Sequence, residues 1–196
     1  MTSTLKADEL HNLSGQVLLR NGYPLRPGRI IEHLSGLCDG SIINGVERSY
    51  TWPTVNSQYA TLDSYEVVPG SYITYLPPEG ATRVIYKFGC SVYRISEHAI
   101  THFKFFIDDN EVVFARHNRS GLQFEQRSIF QWTVAIGGSQ NNNTGRQSTW
   151  NKPKALSMQV RRLGGSNYSD LHGTTYFDGG GSNQFSRPTL SITAIA

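Results

Sequence analysis

The chain of 196 residues carries 18 Lys and Arg against 15 Asp and Glu, a formal net charge of +3, with 10 Tyr, 9 Phe, 3 Trp, 19 Gly and 2 Met. That length holds one domain, or one domain with an extension, and is enough to bury a real core. The small, dispersed charge argues against a nucleic-acid surface, no run approaches the roughly 20 apolar residues of a membrane helix, and two cysteines are too few for a disulfide framework.

Residues 1–28 are a mixed, weakly apolar lead-in. Leu5, Leu10, Leu13, Val17, Leu18 and Leu19 recur in it without a strong period. Asp8-Glu9-Leu10 fits a short helical turn, and Gly15 argues against a longer helix. So few apolar side chains cannot form a core, so they are expected to pack on a partner, as an anchoring arm. No apolar segment after Met1 reads as a secretory leader, so synthesis and assembly are expected in a cytoplasm. Turn signals at Asn21-Gly22-Tyr23-Pro24 and Pro27-Gly28 set the boundary.

From residue 29 to 196 the pattern is all-β. Tyr, Phe and Thr supply the strands and Gly the turns. Strands are expected over 30–37, 46–52, 60–68, 72–76, 83–95, 103–107, 112–115, 122–136, 155–163, 172–177 and 190–195. Over 83–95 the residues Val84, Tyr86, Phe88, Cys90 and Val92 share one face, so Cys90 reads as a buried, inert thiol. Asp108-Asp109-Asn110 reads as a tight hairpin turn. Residues 137–151 are polar and read as a long loop, and Asp178-Gly179-Gly180-Gly181 as a turn before the last strand. In that last strand Leu190, Ile192 and Ala194 alternate with Ser191, Thr193 and Ile195, and neighbours on both sides are expected to hold it. Many short strands with no credible long helix fit a two-sheet jelly roll, and the absence of an internal repeat argues against a propeller or β-helix.

Catalytic signals are sparse. The six histidines form no His-x-x-x-His pair on a helix, and His98 and His102 sit in a β-branched context that suits strand entry better than zinc. The oxygen ligands of 108–111 and of Asp178 suit calcium, yet the same residues are what turns require. No nucleophile elbow or P-loop is present. Catalytic, metal and cofactor sites are therefore expected to be absent. Trp150, Tyr168 and Tyr176 lie in or beside expected loops and are the candidates for stacking on a sugar ring.

Several segments resemble a group of small virion proteins of tailed bacteriophages, of marine and cyanophage type, with a C1q/TNF-like jelly roll. They are Ser3-Thr4-Leu5-Lys6-Ala7-Asp8 with Leu13-Ser14-Gly15, Leu37-Cys38-Asp39-Gly40, Ile73-Thr74-Tyr75-Leu76-Pro77-Pro78-Glu79-Gly80, and His102-Phe103-Lys104-Phe105-Phe106-Ile107-Asp108. Gly145-Arg146-Gln147-Ser148-Thr149-Trp150 and the stretch from Asp178-Gly179-Gly180-Gly181 through Gln184-Phe185-Ser186-Arg187-Pro188-Thr189-Leu190-Ser191-Ile192-Thr193-Ala194-Ile195 follow. The resemblance implies a homotrimeric β-module on a virion, partnered by a major capsid or tail protein, with no nucleic acid and no membrane. It also implies a trimer face supplied by Ile192, Ala194 and the tyrosines of 72–86. Capsid decoration or cement is the leading expectation. A tail-fibre or receptor-binding tip for host surface polysaccharide is the alternative.

Overall fold

Two antiparallel sheets face each other because the strands alternate apolar and polar residues. The computed structural model describes residues 9–11, 17–20, 23–24, 27–94, 100–120, 126–163, 169–177 and 181–196. The principal strands of the sandwich are β1 (Ile30–Leu37), β2 (Ile73–Tyr75), β3 (Arg83–Arg94), β4 (Ile100–Ile107), β5 (His117–Ser120), β6 (Gln126–Ala135), β7 (Lys154–Arg162) and β8 (Thr189–Ile195). The first sheet runs β1-β8-β3-β6 and the second β2-β7-β4-β5. The ladders 1–8, 2–7, 3–6 and 4–5 are all antiparallel. This nesting is one long hairpin rolled up, closed by the 8–3 and 7–4 ladders. It is a jelly roll.

β3 organises the core. Its inward row of Val84, Tyr86, Phe88, Cys90 and Val92 is buried throughout and meets Phe103, Phe105 and Ile107 of β4, Leu156, Met158 and Val160 of β7, and Leu190 and Ile192 of β8. Tyr86, Phe105 and Phe130 form an aromatic centre with ring centroids 5.0 to 6.1 Å apart. The Tyr86 hydroxyl donates to the Ser71 carbonyl at 2.6 Å, which removes the cost of burying it. β8 is held on both sides, by β1 and β3, as its alternation requires.

That alternation also overturns one expectation. Ile192, Ala194, Tyr75 and Tyr86 are all 0 % exposed, so they cannot supply a trimer face. The outward residues of β8 are Thr189, Ser191, Thr193 and Ile195. Of the tyrosines in 72–86 only Tyr72 is exposed, at 51 %.

Other differences are local. The segment expected as one strand over 46–52 is the second half of a hairpin, Ile42–Asn44 with Ser49–Thr51, turning at Gly45. A Cβ at Gly45 would strike the Glu32 carboxylate and the Arg48 carbonyl, so only glycine fits there. Residues expected as a strand over 112–115 make a 3-10 turn, Val113–Ala115, after the two-residue strand Asn110–Glu111. The hairpin at Asp108 holds, with Ile107 opposite Asn110 and Asp108 at φ 53, the positive angle that a two-residue turn demands. Gly181–Phe185 is a strand paired with Gly173–Phe177.

The arm is β-structured where it is described. Glu9–His11, Val17–Arg20 and Tyr23–Pro24 form a three-stranded ladder, so the helical turn expected at Asp8-Glu9-Leu10 is replaced by a strand over Glu9–His11. One helical turn bears the full nucleation cost for little hydrogen bonding, whereas a ladder shares it across strands. The arm joins the sandwich beside β8, where Gly28 N–H donates to the Ala196 carbonyl at 2.7 Å and Ala196 N–H to the Arg29 carbonyl at 2.9 Å.

Candidate functional site

The arm candidates divide. Leu10 lies in Glu9–His11, while Val17, Leu18 and Leu19 lie in Val17–Arg20. Leu10 and Leu19 are direct cross-strand partners. Leu5 and Leu13 lie outside the described residues, as do Tyr168, Asp178 and His98. Tyr176 sits in Gly173–Phe177, in register with Ser182.

Trp150 is not a freely stacking loop aromatic. It is 6 % exposed, its Nε1 donates to the Tyr75 carbonyl at 3.2 Å, and its ring meets Tyr75 edge-on at 6.3 Å. What remains accessible of it forms one wall of a cleft of about 400 Å³. Pro77, Pro78 and Ile136 give that cleft an apolar surface, and Glu79 and Asn151 give it a polar edge. Residues 77–80, just after β2, line the cleft together with residues 148–151, just before β7.

The same end of the sandwich contains a polar anchor. Glu32 is 5 % exposed. One carboxylate oxygen accepts the Tyr75 hydroxyl at 2.7 Å and the other accepts the Val46 N–H at 2.7 Å. Burial first, and then the hydrogen bond to Glu32, push the Tyr75 phenol far above its ordinary range. Tyr50 is pushed up to about 12, mainly by burial and then by the Glu32 charge. Three segments are thereby tied to one carboxylate. The sequence signal for it is parity, because Glu32 occupies the register of Leu34 on the inner face of β1.

At the opposite end His172 is 0 % exposed, has φ 62, and finds no hydrogen-bond partner among the described residues for either ring nitrogen. Desolvation pushes its pKa down to about 4, and the nearby Pro69 carbonyl, not placed for a full bond, pulls weakly the other way. Cys38 and Cys90 are buried and unlinked, and burial raises both thiols to about 12.

Two carboxylates of the 108–111 turn are already engaged. Asp108 accepts the Ala155 N–H at 2.9 Å and Lys154 Nζ at 3.0 Å. Glu111 binds Lys104 and Arg116, chiefly through the Arg116 hydrogen bond, which holds its carboxyl below the usual range. Among the described residues no group of three or more His, Cys, Asp or Glu is placed to hold a metal ion.

No protein-family model matches the chain, and no curated protein matches it in sequence. Among solved structures, a chain in the structure of infectious bursal disease virus Gt strain aligns with a TM-score of 0.30 and 7% identity, over 80% of this chain and 43% of that one. The Gx strain aligns with a TM-score of 0.28 and 8% identity, over 78% of this chain and 43% of that one. This chain therefore spans less than half the length of these two, and a likeness of that size carries no argument about function.

Proposed function

We propose that this protein is a non-enzymatic structural component of a bacteriophage virion, a homotrimeric jelly-roll decoration or cement protein that residues 1–28 attach to the major capsid or tail protein. The observation that supports this reading most directly is the division of the backbone ladder. Among the described residues the three arm strands pair only with one another, while the sandwich is completed by its own β8. Apart from the Gly28 bond to Ala196, the described ladders of each part close on themselves, which suits an attachment segment beside a displayed module. The sequence resemblance supports the virion setting.

A self-association surface is available on the outer face of the first sheet. Leu37, Thr189, Gly89 and Ile129 stand side by side across all four strands. Leu37 and Ile129 are 50% and 52% exposed, flanking a small threonine and a glycine. Two apolar ridges around a shallow centre allow close approach of another copy.

The test compares the full chain with a chain lacking residues 1–28. Mass measurement is expected to give three copies for both. Removing the arm deletes the Gly28 bond to Ala196, worth about 1 kcal/mol, so the melting temperature is expected to stay near that of the full chain. Co-sedimentation with undecorated particles is expected for the full chain alone. Equal binding by the truncated chain places the contact on the jelly roll and overturns the anchor; a monomer at micromolar concentration overturns the trimer.

The Trp150 cleft supports a second reading, a receptor-binding tip for host polysaccharide, because its apolar walls and polar edge suit a pyranose ring. Quenching of tryptophan fluorescence by host polysaccharide, weakened by Asn151→Ala, is the expected result under that reading.

A further inference from the structure

The outer face of the second sheet concentrates positive charge around one aromatic ring. Tyr65, from the segment preceding β2, lies over this face. Lys104 Nζ stands 4.3 Å from its ring centroid and Arg161 Cζ 5.0 Å. Beside the ring opens a cleft of about 310 Å³, walled by Tyr65, His102, Arg116 and Asn118 and closed from the core side by Phe103 and His117.

Register explains why these residues meet. His102 is the cross-strand partner of both Arg161 on β7 and Asn118 on β5. Lys104 is two residues further along β4 and therefore on the same face. Glu111 is the carboxylate bonded to this group, and both Lys104 and Arg116 share it. Asp63 is bound to Arg162 at 2.6 Å, and Glu66 is exposed and stands in register with Val160, on the opposite parity to Tyr65. Among the described residues the cations Lys104, Arg116 and Arg161 thus outnumber the carboxylate between them.

Two nitrogens sharpen the picture. His102 Nε2 and Arg161 Nε are shut away from solvent and have no hydrogen-bond partner among the described residues. Buried nitrogens of this kind ordinarily have an acceptor or a bridging group. Like charges gathered around one ring repel unless an opposite charge joins them. A cleft of this size, open to solvent on one side, admits a compact group, and the charge forms no stripe of the kind a nucleic acid follows.

We propose that this cleft binds an oxyanion, a phosphate or sulfate group either free or carried on a sugar. Arg116 and Asn118 donate directly to it, and Lys104 and Arg161 supply the positive field from around Tyr65. The Arg116 side chain is 54% exposed, so its guanidinium reaches a ligand without rearranging the core.

The experiment is calorimetric titration of the full chain with inorganic phosphate at ionic strength held constant with sodium chloride, followed by glucose 6-phosphate and glucose. Saturable phosphate binding with a Kd on the order of 1 mM is expected. Arg116→Gln is expected to weaken it about tenfold or more, the loss that follows from removing a charge-assisted donor. Because that side chain is exposed, the variant is expected to melt with the wild type. Lys152→Gln, an exposed lysine just before the far end of β7, is the control and is expected to bind as wild type. Tighter binding of glucose 6-phosphate assigns the cleft to a sugar-borne group, and equal binding assigns it to the free anion. The proposal is overturned if phosphate binding does not saturate, if glucose binds as well as its phosphate, if Arg116→Gln binds unchanged, or if Lys152→Gln weakens binding equally.

Discussion

Glu32 and His172 lie buried at opposite ends of the same sandwich and are treated in opposite ways. The Glu32 carboxylate is fully used, holding Tyr75 and Val46 at 2.7 Å each. The His172 ring has no hydrogen-bond partner among the described residues, and its backbone sits at φ 62, an angle uncommon outside glycine. One end gains its order from a polar group, while the other carries a polar group against its own desolvation cost. The contrast teaches that burial alone does not say whether a polar residue stabilises a fold; the fate of its hydrogen bonds does.

The strongest challenge to this contrast is Glu32→Ala. It strands the buried Tyr75 hydroxyl and takes the acceptor from the partly exposed Val46 N–H; a buried unsatisfied group costs about 1–3 kcal/mol, so a loss of about 2–3 kcal/mol is expected. Urea unfolding measures it, and Glu32→Gln, which keeps acceptor capacity, is expected to lose far less. If the alanine variant is as stable as the wild type, the carboxylate is not the anchor described.

The His172 end predicts a pH dependence. Its pKa of about 4 when folded lies below the ordinary 6.5, so between those values the unfolded chain holds more protons. The neutral ring's contribution is complete above pH 6.5 and is lost as pH falls toward 4. The shift corresponds to roughly 3 kcal/mol. Asp170, whose carboxyl burial raises above its ordinary value, acts in the opposite sense, so the difference from His172→Phe isolates the histidine. Stability measured from pH 4 to 7 is expected to rise more steeply in the wild type than in that variant; parallel curves would remove the histidine from the account.

The smallest expected effect concerns the thiols. Cys90→Ser places a hydroxyl in apolar packing and is expected to cost about 1–3 kcal/mol in thermal or urea unfolding. Native protein at pH 8 is expected to react with a thiol reagent at neither Cys38 nor Cys90 until it unfolds, since both are buried and lifted to about 12. Fast labelling of either would show that the core opens locally.

Much of the sandwich was legible because its strands alternate cleanly. The expected 83–95, 155–163 and 190–195 segments lie within a residue or two of β3, β7 and β8, whose inner rows are unbroken apolar series. β5, with the sequence His-Asn-Arg-Ser, offers no alternation, because an edge strand need not bury a full row. Ile42–Asn44 and Gly181–Phe185 are short hairpin partners that pairing defines rather than composition. The sites were less legible. Trp150 reads as a loop aromatic because its loop is polar on both sides, yet Tyr75, distant in sequence, provides its burial. The cluster around Tyr65 draws on four separate segments, and in the sequence each of its charges looks like an ordinary solvated one.

The nested ladders have a kinetic consequence. Only β4 and β5 are neighbours in the chain, joined through the short 108–116 connection, and each further pair, 3–6, 2–7 and 1–8, closes a longer loop than the one inside it. Loop-closure entropy therefore ranks the pairings, and the inner hairpin is the least costly place to begin. Formation then spreads outward like a zip, and β1 and β8, the last to join, leave β3 with an open edge until the roll is complete. A chain organised this way folds slowly for its size, and throughout that interval an unpaired, largely apolar strand is available to the wrong neighbour.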